Sequence, residues 1–278
     1  LGNWRGRTEH AYMGEVINIA DRYYWGNAMN KFPGYRENMI ANHNATWEKV
    51  NLTNIGIEAR MFNDRLSLVG EYFHDKRKDI FMENQRIHNL YGFDMKISEN
   101  LGEMKTSGFE IGADWSDKIG EVSYSIGGTF SYAKNEVLKD GQVAQPYPWL
   151  RNAGYSYGTK KGYIAEGFFN SYEEIASAPQ QTFSKVQPGD IRYRDINGDG
   201  IINDDDKAAI GYSDVPQVYY SGLISLSYKG FSLSAVLQGA DRFSRNINNS
   251  RVAQPFFENG NIFEHQTNYW TPENPNAE

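Results

Sequence analysis

Residues 108–132 read GFEIGADWSDKIGEVSYSIGGTFSY, and the alternation inside them decides the fold. Phe109, Ile111, Ala113 and Trp115 alternate with Gly108, Glu110, Gly112 and Asp114, a period of two that puts the apolar side chains on one face of a β-strand. Ser116 to Gly120 makes a short turn. Val122, Tyr124, Ile126, Gly128, Phe130 and Tyr132 then return against Ser123, Ser125, Gly127, Thr129 and Ser131. The product is an antiparallel hairpin with one apolar face and one face of small hydrophilic groups.

The same unit recurs on both sides. Ile55, Ile57, Ala59 and Met61 alternate with Asn54, Gly56, Glu58 and Arg60, turn at Asn63-Asp64, and come back as Leu66, Leu68, Gly70 and Tyr72 against Arg65, Ser67 and Glu71. Further on, Ile224, Leu226 and Tyr228 pair with Phe231, Leu233, Ala235 and Leu237 across Lys229-Gly230, with Ser225, Ser227, Ser232, Ser234 and Gln238 on the other face. Hairpins are expected near 46–82, 105–135 and 218–243, joined by long polar connections near 75–105, 133–217 and 239–278. Residues 1–45 hold a strand-like piece, Tyr12–Ala20, and loop-like stretches around Asn27–Asn44, with no recognisable chemistry.

Tight turns at one end and very long loops at the other are the pattern of an outer-membrane barrel. The expected fold is therefore all-β, an antiparallel transmembrane β-barrel segment with short periplasmic turns and long extracellular loops. Trp115, Tyr228 and Phe231 have outward parity beside the turns, where the aromatic girdle of such a barrel sits. Ordinary sandwich core near a strand end is the competing reading of those rings.

Composition narrows the classes. With 28 Lys+Arg against 35 Asp+Glu and no basic cluster, the chain offers no nucleic-acid surface. It has no cysteine, which removes disulfides, thiolate catalysis and zinc–cysteine sites. No window of 18 apolar residues forms a transmembrane helix, a test to which barrel strands are blind. The first residues, LGNWRGRTEH, show no signal-peptide pattern, as expected of an intracellular chain or of a piece of something longer.

One segment carries metal chemistry. In GDIRYRDINGDGIINDDDKAAIG (189–211), Asp195, Asn197 and Asp199 fall at positions one, three and five, Gly200 at six, Ile201 at seven, Asn203 at nine and Asp206 at twelve of a calcium-loop pattern. A hard cation needs about 6–8 oxygen ligands, which alternate side chains and the Ile201 carbonyl would supply, while the glycine permits the curl. The last position is Asp rather than Glu, and Pro188-Gly189 followed by the alternating Asp190–Arg194 replaces an entering helix with a strand. Five carboxylates between Asp195 and Asp206 favour a neutralising ion, and calcium is the expected cofactor. A solvated acidic turn is the plain alternative.

Catalytic ingredients are poor, and no enzymatic activity is expected. The five histidines lack metal-protease spacing, no serine sits in a nucleophile elbow, and the adjacent Glu173 and Glu174 would point to opposite faces of a strand. Tyr147, Trp149, Tyr155 and Tyr157 are candidate substrate-binding rings, able to stack on sugars or peptide side chains, or simply to pack within a loop.

The acidic segment, followed by Pro216 and YYSGLISLSYKGFSLSAVLQG, resembles the SusC/RagA family of TonB-dependent outer-membrane transporters. TWEKVNLTNIGIEARMFNDRLSLVGEYF, NLGEMKTSGFEIGADW, KKGYIAEGFFNSYEEI and YWTPENPNAE agree, so the likeness runs from about Thr46 to the end. It implies a 22-stranded barrel in the outer membrane of a Gram-negative bacterium, filled by an N-terminal plug and lidded by a SusD-like surface lipoprotein. The TonB complex would energise uptake of an oligosaccharide or peptide through the missing N-terminal part. The stretch would then be part of the barrel, with the plug, the TonB box and the terminal strands absent. Two other readings compete: a soluble calcium-stabilised β-sandwich carbohydrate-binding module, and a β-rich glycosidase.

Overall fold

The computed structural model describes residues 41–86, 97–247 and 251–277 in full, and the backbone of 15–25 and 30–39. Tyr12–Gly14 of the first strand-like piece lie outside the described residues, as do 27–29 and 40 of the run around Asn27–Asn44, whose residues 30–39 form a strand rather than the expected loop. The chain divides into two compact units.

The strand unit spans residues up to 145, 151–157 and 218–239. A two-stranded antiparallel sheet comes first, β1 (Glu15–Trp25) on β2 (Asn30–Met39). The principal sheet is built from β3 (Lys49–Met61), β4 (Leu66–Glu83), β5 (Ser98–Ile119), β6 (Val122–Lys139), β13 (Val218–Tyr228) and β14 (Phe231–Asp241), with six strands in the spatial order β14-β13-β6-β5-β4-β3. It is an antiparallel meander. Among the described residues it ends at β3 on one side and β14 on the other.

Register explains why the alternation was so regular. Ile57 stands opposite Gly70, Gly70 opposite Ile111, Ile111 opposite Phe130 and Phe130 opposite Tyr220, so the outward residues of each strand join those of the next in one continuous face. The reverse face carries Glu71 opposite Glu110 opposite Ser131, and Gly112 opposite Thr129 opposite Ser221, with Thr129 and Ser221 sharing a hydroxyl hydrogen bond of 2.7 Å. A one-residue slip anywhere would exchange the two faces, so the register is strongly specified. Leu52, Val69, Phe73, Leu223 and Val236 are apolar exceptions on the hydrophilic face; the Phe73 ring occupies the space that a side chain at Gly108 opposite it would need, and nothing in the structure explains the other four.

The three turns at one end are tight. Lys229 and Gly230 both have positive φ, 45° and 86°, the backbone of a type I′ hairpin turn whose twist matches the strands. Gly120 has φ 61° as the first of the two residues joining β5 to β6, so that strand runs on to Ile119 and the turn is Gly120-Glu121, shorter than Ser116–Gly120. At the other end β4, β5 and β6 reach beyond the alternating stretches, to Glu83, back to Ser98 and on to Lys139. Both faces of these extensions are charged, and Lys76–Glu103 and Lys105–Glu136 pair across strands. Asp79, at φ 57°, sits in a bulge whose carbonyl accepts the Asn100 amide at 2.7 Å.

The loop unit spans 146–150, 158–217 and 240 onward. Its elements are short: β7 (Lys161–Gly162) on β12 (Ala208–Ala209), β8 (Ala165–Phe168) on β10 (Ile191–Tyr193), and β9 (Gln180–Gln181) parallel to β11 (Ile201–Ile202). Phe169 and Ile202 form its buried apolar centre. Glu173 and Glu174 lie on a helix rather than a strand, α1 (Tyr172–Ser177). Ser171 caps it by accepting the Glu174 N–H at 3.2 Å, and the Glu174 carboxylate accepts the Asn170 N–H at 2.8 Å.

Candidate functional site

The outward face of the principal sheet is bare. Ile111 and Ile126 are each 52 % exposed and Leu233 is 69 %, so nothing among the described residues covers them. Apolar patches on water-soluble proteins rarely exceed a few hundred Å², whereas this face continues across six strands. Burying a side chain of this size is worth about 1.5–3 kcal/mol, so a face of this extent demands an apolar solvent. That removes the soluble-sandwich reading.

Aromatic side chains bracket the face. Near the turns, Phe62 and Trp115 contact at 5.9 Å, the Trp115 indole donates to the Tyr124 hydroxyl at 3.3 Å, and Phe231 is 82 % exposed. Toward the loops, Phe109 contacts Phe130 and Tyr132, each at 5.8 Å, with Tyr72 opposite Phe109 and Tyr220 opposite Phe130. From Tyr228 to Tyr220 the strand advances about 26 Å, or about 20 Å along the membrane normal at a tilt of about 40°, close to the ~25 Å apolar band of an outer-membrane barrel. Ring chemistry suits both boundaries because the body is apolar and the hydroxyl or indole N–H is wet.

In the loop unit the acidic segment folds on itself. The Asp195 carboxylate accepts the N–H groups of Gly198 (2.7 Å) and Gly200 (2.8 Å), Asn197 Oδ1 accepts that of Asp199 (3.0 Å), and Asp199 accepts that of Ile201 (2.8 Å). Asp206 closes the loop. Fully buried, it takes the N–H of Ile196 at 2.8 Å and Asn197 at 3.4 Å on one oxygen, and that of Asn203 at 2.9 Å on the other. Asn203 in turn accepts the Asp205 N–H at 2.7 Å. Gly198 and Gly200 adopt positive φ, 76° and 83°, which makes the curl possible without strain.

The donor set, three carboxylates, two amides and a backbone carbonyl, is all oxygen and suits a hard cation. Its arrangement does not yet converge. Among the described residues, no three acidic, histidine or cysteine side chains stand close enough together to hold an ion. Of the five loop carboxylates, Asp204 alone has an ion-pair partner among the described residues, Lys207 at 2.7 Å. Lys207 followed by Tyr163, whose hydroxyl donates to Asp204 at 3.1 Å, holds that carboxyl below its ordinary range.

The four aromatic candidates separate into two pairs. Tyr147 and Trp149 belong to the loop unit, stacked at 4.7 Å and 9° and tied to the acidic segment: the Trp149 indole donates to the Asp205 carbonyl at 2.7 Å, and Asn197 donates to the Tyr147 hydroxyl at 3.3 Å. Tyr155 and Tyr157 belong to the strand unit, where Val137 N–H donates to the Tyr155 carbonyl and Asn135 accepts the Tyr157 N–H. The Tyr157 ring is exposed.

A further set of rings escaped the sequence reading. Tyr163, Phe183 and Tyr193 contact one another at 5.1, 5.3 and 5.7 Å, and the first two line an open groove of about 440 Å³ with Thr182, Asn203, Asp204 and Asp205. They are spread over 31 residues among strands of two to four residues, so spacing gave no signal.

Residues 17–199 match the sequence profile of the family described as TonB dependent receptor-like, beta-barrel. The chain belongs to this family. It is 28 % identical over 251 residues to TonB-dependent receptor P26 of Formosa agariphila, covering 86 % of the chain and 25 % of the relative, and 23 % identical to TonB-dependent receptor P3 of the same organism over a similar span. The chain thus spans about a quarter of these relatives. Among solved structures, the RagAB peptide transporter superposes with a TM-score of 0.66 at 17 % identity, covering 95 % of this chain and 28 % of that one. The RagAB peptide importer in its open-open state gives 0.67 at 16 % identity, with 96 % and 28 % covered. The SusC/RagA-type barrel read from sequence is the fold present, and this receptor segment resides in the outer membrane of a Gram-negative bacterium.

Proposed function

We propose that this chain forms part of the barrel wall of an energised importer that takes up oligosaccharides or peptides, with a SusD-like lipoprotein over its extracellular end and the TonB complex acting through the part of the receptor that carries the plug. The uncovered apolar face between two aromatic rows supports this reading above all, because it makes the sheet a lipid-facing wall whose reverse side is hydrophilic. The family membership and the RagAB fold agree with it. An open sheet in lipid leaves backbone groups unpaired, so β3 and β14 each need a neighbouring strand from the rest of the barrel. The test is uptake of labelled oligosaccharide and peptide pools by cells carrying the whole receptor, with and without TonB. Import that requires both the receptor and TonB is expected; import indifferent to TonB removes the proposal. Co-purification of a surface lipoprotein in mild detergent checks the partner.

We also propose that the acidic loop takes a calcium ion, which would draw Asp195, Asp199 and Asp206 together with Asn197, Asn203 and the Ile201 carbonyl. What supports this is the spacing and the four carboxylates without a cationic partner. Calcium added to chelator-treated receptor should slow hydrogen exchange at Gly198, Gly200 and Ile201, and unchanged exchange contradicts it. Tyr157, exposed at the edge of the strand unit, is the candidate ring best placed to meet a substrate.

A further inference from the structure

We infer that the groove beside Tyr163 and Phe183 is a binding site for a neutral polyhydroxylated ring, a hexopyranose unit of a glycan. Tyr163 and Phe183 lie 5.1 Å apart with their planes 39° apart, and Tyr193 backs both rings. Phe183 is half exposed, so a ring face is open to solvent without rearrangement. Such a face takes the C–H side of a sugar, which is apolar although its rim is not.

The polar side chains of the groove match the rim. The Asn203 amide is oriented by accepting the Asp205 N–H through Oδ1, which leaves its Nδ2 group as a donor. The Asp205 carboxylate has no hydrogen-bond or ion-pair partner among the described residues, although the Asp205 backbone is fixed at both ends, by Asn203 and by the Trp149 indole. Thr182 spends its hydroxyl on the Ile202 carbonyl at 2.9 Å and offers only its methyl. One oriented donor, one free acceptor and a ring platform side by side are what vicinal hydroxyls, each both donor and acceptor, satisfy together.

Charge disfavours ionic ligands. Asp204 and Asp205 repel an anion. A cation meets Lys207, whose ammonium already stands 5.3 Å over the Tyr163 ring and pairs with Asp204 at 2.7 Å. An apolar peptide side chain would cover the rings but leave Asn203 and Asp205 dehydrated and unpaired. A volume of about 440 Å³ holds one or two sugar rings.

This deepens the importer reading by naming its substrate class, and it is tested without transport. The whole detergent-purified receptor is titrated by calorimetry with uncharged malto-, cello-, manno- and galacto-hexaose, with a lysine-rich hexapeptide and with an uncharged hexapeptide. At least one hexaose should bind, Phe183→Ala and Asp205→Ala should each weaken it about tenfold or more, and Asp205→Asn should weaken it less. Hydrogen exchange at Ile202 confirms that the variants keep the loop unit folded. Absence of binding by every hexaose, binding untouched by both alanine variants, or peptide binding that those variants abolish overturns the assignment. TonB-dependent peptide import together with glycan silence sinks this inference and leaves the importer reading intact.

Discussion

Replacing Asp206 by Ala should loosen the acidic segment more than any other single change in the loop unit. Its carboxylate is fully buried and accepts three backbone N–H groups, from Ile196, Asn197 and Asn203, so truncation leaves three donors without a partner. A hydrogen bond to a charged acceptor contributes about 1.5–3 kcal/mol, and the 3.4 Å contact to Asn197 is the weakest of the three. Water can reach part of the exposed loop once the carboxylate is gone, which brings the expected loss to about 3–5 kcal/mol. Asp206→Asn keeps two acceptor contacts but turns an NH₂ group toward the Asn203 N–H, and should lose about 2–3 kcal/mol. Hydrogen exchange at Ile196, Asn197 and Asn203 in the purified receptor reads this directly. Protection should fall by two to three decades in the alanine variant and by fewer in the asparagine variant, because about 1.4 kcal/mol is tenfold in an opening equilibrium. Exchange unchanged in Asp206→Ala would refute the keystone role.

Two further outcomes follow from the same geometry. Ile111→Arg puts a cation on the outward face one row from Phe109 and should destabilise the assembled barrel by about 2–4 kcal/mol in lipid, while Thr129→Arg on the reverse face should cost under about 1 kcal/mol beyond its lost hydroxyl contact; equal losses in a urea titration of the reconstituted receptor would contradict the sidedness. Lys207→Met should return the Asp204 carboxyl toward its ordinary range, since Lys207 is the first cause of its depression. The sign is that of a lowered carboxylate: its stabilising contribution is present above the ordinary Asp range and fades as pH falls through the lowered value, and it is small because Asp204 is exposed. A carboxyl ¹³C titration that is identical in both proteins would deny the pairing.

The sheet was legible because lipid on one side and water on the other impose a strict period of two, visible from Phe109 to Trp115 and from Val122 to Tyr132. The extensions of β4 and β5 were not, because both of their faces are wet: around Lys76, Arg77, Lys78 and Asp79 no apolar alternation survives to mark a strand. The α1 helix carried a readable signal, Ser171 three residues before Glu174, which the neighbouring strand-like runs obscured. In the loop unit the strands are mostly two residues long, below any period, so the groove of Tyr163, Phe183 and Asn203–Asp205 emerges only from tertiary packing. The first half of the acidic segment was readable as a curl, since the side chains of Asp195, Asn197 and Asp199 each close on an amide two to five residues on.

This chain has no cysteine of its own, so once any cysteine elsewhere in the receptor has been replaced, each one introduced here reports alone. Fluorophores placed one at a time from Ser123 to Phe130 in the reconstituted receptor should be quenched by lipid-borne nitroxides at Tyr124, Ile126, Gly128 and Phe130, and by aqueous iodide at Ser123, Ser125, Gly127 and Thr129. Quenching that does not alternate, or iodide reaching Ile126 as freely as Ser125, would show that this face does not look into the membrane.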